Sequence, residues 1–354
     1  MLGSSLGHCL TRHAAIEYYF SFIENNLSLI KFCGNLDQWI SLGDIQEPLF
    51  AKTLRMAMSI GFFDSGIGGL SVLYEALRQM PNEDYVYYAD DANVPYGNKS
   101  RDEICGCVFD AVDFLAAMNI EALVIACNTA TSAAIQDIRK NFKFPVIGME
   151  PAVKPAVNSV AGKRVLVFAT PLTLRESKFM GLLHRVDIHR KVDYLPLQEL
   201  VTFAESFQFD RAVIRSYLAD RFKDCDLNQY GAVVLGCTHF PFFKNHIREF
   251  FSTGTMIMDG SSGTIRNLKN ILASMKRMQK GSGQVTYYRS GKRVSDGHTM
   301  KRYLDLLQQI EASGTGLGDY LEPPPPPPPP PEPPPPPEPP PEPLPPPVTP
   351  ELPE

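Results

Sequence analysis

With 354 residues, the chain is long enough for two domains that each have a core, and its 44% apolar content is ordinary for a globular protein. Six Glu and no Lys or Arg lie in residues 322–354, so a net charge of −5 becomes +1 without them. A nearly neutral body argues against a nucleic-acid partner or an anionic membrane surface. The sequence also predicts no membrane-spanning segment and no signal peptide.

Residues 1–57 mix aromatic and charged residues without clear order and are predicted to be an appended N-terminal extension. From residue 58 onward, short apolar runs alternate with segments of helical periodicity. Strands are predicted at 59–63, 84–89, 145–149, 165–170, 192–195, 255–259 and 285–290, and in two cysteine-bearing runs at 122–127 and 232–237. Helices are predicted at 70–80, 101–118, 132–141, 209–222, 264–278 and 299–312, and after Pro171 and Pro241. This alternation is typical of an α/β fold with parallel sheets.

The cysteine-bearing runs are a repeated pattern. Residues 122–130 read ALVIACNTA and residues 232–240 read AVVLGCTHF. Each apolar run suits a strand buried on both faces of a parallel sheet, which places Cys127 and Cys237 where strands end and loops begin. Ligands of open α/β sheets bind at these strand ends. We therefore expect two similar halves that each offer one thiol to a shared cleft.

The predicted domains follow from this repeat. The first α/β domain is expected to comprise residues 58–150 plus 264–312, and the second residues 151–263. Residues 313–354 are expected to be a flexible linker and a tail, because 23 of the last 32 residues are proline. Such a composition favours extended polyproline II chain over a packed core.

Two glycine-containing loops suggest anion binding. DSGIGG at 64–69 lies between a predicted strand and helix, where backbone N–H groups can meet an anion. A dinucleotide site is an alternative, with Asp90 or Asp91 as the ribose-binding acid, although Ser71 stands where the third glycine is expected. GSSGT at 260–264 is predicted to be a loop of similar character.

The seven cysteines, at positions 9, 33, 105, 107, 127, 225 and 237, are odd in number and unevenly spaced. This pattern predicts free thiols in a reducing, cytoplasmic compartment. Cys105 and Cys107 lie inside a predicted helix and are expected to be structural. Cys127 and Cys237 could each be a small buried hydrophobe, yet polar residues follow both of them directly.

Four chemistries could use these cysteines. A metal site lacks a second ligand pair beside Cys237 and His239. A cysteine hydrolase built on the same two residues would leave Cys127 unexplained. A redox dithiol normally has adjacent cysteines. A two-base proton transfer needs two thiols on opposite faces of a planar carbanion, and this chemistry fits the repeat.

Five motifs carry a family resemblance: DSGIGGLSVL (64–73), ADDANVPYG (89–97), ACNTA (126–130), ATPLT (169–173) and GCTHFP (236–241). Together they resemble glutamate racemase, over roughly residues 58–312. The resemblance implies two α/β domains related by pseudo-twofold symmetry, with the active site in the cleft between them. It also implies cofactor-independent interconversion of L- and D-glutamate, without pyridoxal phosphate, metal or nucleotide, to supply D-glutamate for bacterial peptidoglycan.

The resemblance also assigns residues. Cys127 and Cys237 become the catalytic acid–base pair, acting on the D- and L-isomer respectively, with Asp64 beside the first and His239 beside the second. The substrate is expected to be bound by Asp64, Ser65, Tyr96, Gly97, Asn128, Thr129, Thr170, Thr173, Thr238 and His239. Asp90 matches a further acidic position.

One assignment stays open, because the family's glutamate in the second domain falls in a segment with about two extra residues. Glu205 is preferred and Glu199 is the alternative. The small-molecule partner is expected to be glutamate, and the assembly a homodimer or a monomer–dimer equilibrium. Two rival functions remain: a related racemase acting on aspartate or a hydantoin, and a non-catalytic ligand-binding module.

Overall fold

The computed structural model describes residues 58–160, 162–187, 190–278, 281–295 and 297–315. The predicted N-terminal extension (1–57) and the proline-rich tail lie outside these residues. None of the helices that the structure describes has both the length and the apolar character needed to cross a bilayer.

The first sheet has six strands in the order β10-β9-β2-β1-β3-β4. All neighbours are parallel except β10, which pairs antiparallel with β9. The strands are β1 (Ser59–Asp64), β2 (Tyr85–Ala89), β3 (Ile120–Ile125), β4 (Val146–Gly148), β9 (Val285–Arg289) and β10 (Lys292–Arg293).

The second sheet has four parallel strands in the order β6-β5-β7-β8. They are β5 (Arg164–Ala169), β6 (Val192–Pro196), β7 (Tyr230–Leu235) and β8 (Met256–Asp259). This order repeats β2-β1-β3-β4 of the first sheet. Even the register irregularity recurs, between Ser59 and Ile60 in one half and between Arg164 and Val165 in the other. The predicted α/β fold of two similar halves is confirmed, whereas the domain boundaries at residues 150 and 264 stay a prediction.

Helices connect the parallel strands, as crossover connections require. They are α1 (Leu70–Gln79), α2 (Arg101–Ala116), α3 (Asn128–Asn141), α4 (Val153–Ser159), α5 (Pro171–Arg175), α6 (Ser177–Val186), α7 (Glu199–Glu205), α8 (Arg211–Phe222), α9 (Lys244–Arg248), α10 (Ser261–Ser274) and α11 (His298–Ile310). Short 3₁₀ turns lie at Tyr96–Asn98, Leu227–Gln229 and Phe240–Phe243, and a π-helical turn at Glu311–Thr315.

Several elements differ from the prediction. The expected loop at 260–264 was wrong, because α10 begins at Ser261, whose N–H donates to Asp259 Oδ1 at 2.7 Å. The helix after Pro171 is two helices, since Glu176 takes an extended conformation. Helices α4 and α7 and the short strand β10 were not predicted.

The last helix joins the two halves. Helix α11 packs against α1 of the first half and against the Phe240–Phe243 turn of the second. Its Tyr303 is buried, and the phenol donates to the carbonyl oxygen of Ala204 at 2.8 Å, at the end of α7. The C-terminal helix thereby fixes the position of α7 beside the ends of both sheets.

Candidate active site

Both repeated cysteines follow the carboxyl ends of equivalent central strands, Cys127 after β3 and Cys237 after β7. The two cysteines line one cavity. The other lining residues are Ser65, Pro95, Tyr96, Gly97, Asn128, Thr129, Thr170, Gln198, Val201, Thr238 and His239. The structure therefore brings the two thiols into one shared cleft, as expected from the repeat.

Cys127 caps the helix that follows it. Its sulfur accepts from the Ala130 N–H at 3.4 Å, and its thiol donates to Ser65 Oγ at 3.6 Å. This cap explains why α3 starts at Asn128 and not at residue 132. Burial, followed by the negative charge of Asp64, raises the pKa of Cys127 to about 12. Cys127 is thus a neutral thiol at physiological pH.

Asp64 ends strand β1 and is completely buried. Its carboxylate accepts from Thr238 Oγ1 at 3.1 Å and from the Gly66 N–H at 3.1 Å. Burial raises the pKa of Asp64 to about 6, an increase that the charge of His239 and the Gly66 hydrogen bond partly offset. The side chain therefore connects the first half to the polar residues after Cys237.

Cys237 has a different neighbour. Its sulfur lies 3.6 Å from His239 Nδ1, and His239 Nε2 lies 2.7 Å from Glu205 Oε1. Burial by itself lowers the pKa of His239, but the hydrogen bonds and negative charges of Cys237 and Glu205 outweigh it and hold that pKa well above its ordinary value. The raised pKa favours the imidazolium form of His239, directly beside the Cys237 sulfur.

The structure also separates the two glutamate candidates. Glu205 lies at the end of α7, where Oε1 also accepts from the Ile67 N–H at 2.9 Å. Glu199, at the start of the same helix, accepts from the Tyr217 phenol at 2.8 Å on the exposed side. The two side chains are about 120° apart around the helix axis, so they point to different sides of α7.

The DSGIGG loop needs its glycines because the second half approaches it closely. A Cβ on Gly66 would lie 1.8 Å from Glu205 Oε1, and a Cβ on Gly68 would lie 2.5 Å from His239 Nδ1. Side chains of the second half thus occupy the space in front of this loop. The alternative of a dinucleotide site at this loop is wrong, because a bound pyrophosphate would need the same space.

Three buried threonines meet across the cleft. The hydroxyls of Thr129, Thr170 and Thr173 lie 3.0–3.1 Å from one another. Thr129 comes from the first half, whereas Thr170 caps α5 in the second. The cluster offers hydroxyl donors and acceptors to a ligand that needs both halves.

The loop after β2 brings two further predicted residues to the cavity. The phenol of buried Tyr96 donates to Asp90 Oδ2 at 2.6 Å, and Asn93 Nδ2 donates to Asp90 Oδ1 at 3.0 Å. Asp90 therefore fixes the loop that presents Tyr96 and Gly97 and stands behind the cavity wall.

Three lining residues were missed from the sequence: Pro95, Gln198 and Val201. Gln198 is the N-cap of α7 and Val201 lies within it, and this helix was not predicted. The other predicted site residues line the cavity or, like Asp64, Thr173 and Glu205, stand directly behind it. Their roles stay predictions.

In the described part of the chain, no three His, Cys, Asp or Glu side chains are grouped so as to hold a metal ion. The described cysteines, at 105, 107, 127, 225 and 237, are all free thiols.

Two similar α/β halves that each present one cysteine to a shared cavity define the class of protein to which this chain belongs. Comparison with known proteins agrees with this class. The model of the Asp/Glu/Hydantoin racemase family matches residues 69–266. The chain therefore belongs to the Asp/Glu/Hydantoin racemase family.

Individual relatives point in the same direction. The chain is 51% identical to glutamate racemase 2 of Bacillus subtilis over 264 residues, which cover 73% of this chain and 100% of the relative. A crystal structure of a glutamate racemase isoform from Bacillus anthracis has a TM-score of 0.61 at 27% identity, covering 70% of this chain and 94% of that one. The Francisella tularensis glutamate racemase in complex with D-glutamate has a TM-score of 0.60 at 27% identity, covering 71% and 94%.

Proposed function

We propose that this chain is an enzyme that interconverts L-glutamate and D-glutamate by moving the α-proton between two thiols. The observation that carries the proposal is the pair of cysteines on one cavity, each at the end of an equivalent strand. The relatives that cover most of the chain are named glutamate racemases, which supports glutamate as the substrate. The chain supplies both thiols itself, so one subunit holds a complete acid–base pair.

In the L-to-D direction, the Cys237 thiolate removes the α-proton of L-glutamate and becomes a thiol. The electron pair left on the α-carbon then takes the proton of the Cys127 thiol on the opposite face, and Cys127 becomes a thiolate. The surroundings favour this direction of attack, because the imidazole of His239 lies beside Cys237, whereas burial, followed by the charge of Asp64, raises the pKa of Cys127. The reverse reaction starts from the Cys127 thiolate.

The remaining predicted residues have binding roles in this proposal. Asp64, Ser65 and Thr238 hold the ammonium group near the loop after β1, and Asn128 with the three clustered threonines holds a carboxylate. Glu205 keeps His239 protonated, and Asp90 fixes the loop with Tyr96 and Gly97.

The cellular role follows from the resemblance. We propose that the enzyme supplies D-glutamate for bacterial peptidoglycan and acts in the cytoplasm, where the free thiols of the described cysteines stay reduced. A homodimer or a monomer–dimer equilibrium is proposed for its assembly, and analytical ultracentrifugation across a concentration series measures it.

The test of the function is incubation of purified protein with L-glutamate in deuterated buffer without an added cofactor. Chiral chromatography should show D-glutamate, with deuterium at the α-carbon of the product. Turnover of L-aspartate without turnover of glutamate would keep the two-thiol chemistry and replace the substrate. Inactivity with both, together with a melting temperature raised by D-glutamate, would favour a binding module.

A further inference from the structure

We propose that Gln198 binds the side-chain carboxylate of the substrate and selects for an amino acid with a second carboxylate at that distance. The inference rests on the proposed racemisation of glutamate and assigns a specificity-determining residue to it. No motif in the sequence marks Gln198, and the resemblance assigns it no role.

The position of Gln198 is set by the second sheet. Strand β6 ends at Pro196, and the Leu197 N–H donates to the Ala169 carbonyl oxygen at 3.3 Å. Gln198 follows as the N-cap residue of α7 and lines the cavity. Its side chain reaches across the cleft to the loop of the first half, because a Cβ on Gly97 would lie 2.2 Å from Gln198 Oε1.

The amide of Gln198 has no hydrogen-bond partner among the described residues, although both its nitrogen and its oxygen are buried. Buried polar groups are normally paired, and leaving one unpaired is unfavourable. The assignment of nitrogen and oxygen in such an amide can be exchanged, so either end can turn toward a ligand. A group that enters the cavity is therefore the natural partner of this amide.

One other cavity-lining side chain is unpaired in the same way. Both polar atoms of Asn128 are buried without a partner in the described part of the protein. Other polar groups of the lining already have partners, such as Ser65 with Cys127 and Thr238 with Asp64. Two amides are thus left for the ligand.

Glutamate carries two carboxylates, and the two amides match them. Asn128 follows Cys127 directly, so it lies at the reacting carbon and suits the α-carboxylate. Gln198 lies against Gly97 and suits the carboxylate at the far end of the side chain. The described lining includes no Lys or Arg, which leaves neutral N–H donors to bind the distal charge.

The test compares glutamate with norvaline, which has a methyl group in place of the distal carboxylate. Gln198→Leu and Gln198→Asn are measured for racemisation of both glutamate enantiomers and for α-deuterium exchange into norvaline. We expect kcat/KM for glutamate to fall about ten- to a hundredfold, mainly through KM, as for a lost hydrogen bond to a charged group. Exchange into norvaline should be unchanged, so the preference for glutamate falls by the same factor.

A variant that introduces a negative charge at residue 198 sharpens the test. Gln198→Glu places a carboxylate against the distal carboxylate of glutamate, so kcat/KM for glutamate should fall further than in Gln198→Leu. Its preference for L-glutamine over L-glutamate should rise, because an amide can donate to the new carboxylate. Gln198→Asn, which keeps the residue polar, serves where another variant unfolds.

Thr202→Ala is the matched control, since Thr202 lies on the same helix with an exposed side chain outside the cavity. It should retain the wild-type preference. If wild-type protein racemises glutamate but the Gln198 variants keep the same glutamate-to-norvaline preference, the role of Gln198 is overturned and the proposed function stands. A wild-type protein that does not racemise glutamate would overturn both.

Discussion

The two halves have the same strand order and place one cysteine at equivalent positions, yet the surroundings of the two thiols differ. Burial, followed by the negative charge of Asp64, raises the pKa of Cys127 to about 12. Cys237 lies 3.6 Å from His239, where burial lowers the imidazole pKa but the hydrogen bonds and charges of Cys237 and Glu205 hold it well above its ordinary value. Similar backbones therefore carry opposite charges next to the sulfur.

This difference shows how a duplicated fold can place two identical groups in different electrostatic surroundings. In identical surroundings the two thiols would be equivalent, whereas the proposed proton transfer uses one as a base and the other as an acid. The polar residues after each strand break that equivalence. Asn and Thr follow Cys127, whereas Thr and His follow Cys237.

The largest effect is expected from removing either thiol. Cys127→Ser and Cys237→Ser should each lower racemisation at least about a thousandfold, within the range of lost acid–base catalysis. Cys127→Ser should still exchange the α-proton of L-glutamate, and Cys237→Ser that of D-glutamate, which NMR in deuterated buffer measures separately. Cys105→Ser, in α2 and outside the cavity, is the matched control. Near-full racemisation by either active-site variant would refute the two-thiol mechanism.

The next largest effect is expected from removing the imidazole of His239. His239→Asn should slow proton removal from L-glutamate about a hundredfold or more, because the cation beside Cys237 is lost. Glu205→Gln keeps the imidazole but lowers its pKa, so the alkaline limb of the rate profile for L-glutamate should move to lower pH. Glu199→Gln should match wild type, since Glu199 pairs with Tyr217 outside the cleft. An equal shift in Glu199→Gln and Glu205→Gln would contradict the distinction between them.

A substitution of Asp64 tests its raised pKa through the pH dependence of stability. Its folded pKa of about 6 lies above the ordinary 3.8, mainly because of burial. The stabilising contribution of the protonated form is therefore complete below about pH 4 and is lost as the pH rises through 6. Asp64→Asn should remove this dependence, which amounts to about 3 kcal/mol for a shift of about two units. Urea unfolding of both proteins at pH 4.5 and 7.5 measures this dependence. Equal changes in the free energy of unfolding in wild type and variant would count against the assignment.

Glu121 lies near the start of β3, at the end of the first sheet opposite the cavity. A substitution there tests stability without touching the candidate active site. Glu121 is completely buried in β3, and neither carboxyl oxygen has a hydrogen-bond partner in the described part of the chain. Burial, assisted by the charge of Glu83 and opposed by Arg277, raises its pKa to about 7.

The ionised form of Glu121 therefore destabilises the fold as the pH rises through 7. Glu121→Gln should raise the free energy of unfolding at pH 8 by up to about 3 kcal/mol and leave it little changed at pH 4.5. Racemisation rates should not change, since the residue is remote from the cavity. A changed pH–rate profile in this variant would show that stability and catalysis are coupled.

Much of the fold was predictable from local sequence. Buried parallel strands read as continuous apolar runs, and glycine or proline marks their ends, so each strand of both sheets was located to within about two residues apart from the short β10. The two cysteines stood out because the pattern around them occurs twice. Each of these signals extends over only about ten residues, so recognising it needs no knowledge of distant contacts.

The remaining features were decided by residues far apart in the chain. Glu205 faces Ile67 from 138 residues away, and Thr238 donates to Asp64 across 174 residues. Gln198 reaches Gly97 through a helix that the sequence pattern did not reveal. The sequence by itself determined the alternating strands, their helices and the two thiols, because period and composition act locally. Only the tertiary structure decided which glutamate meets His239 and which amides stay free for a ligand, because hydrogen bonds across the cleft exist only once both halves have packed.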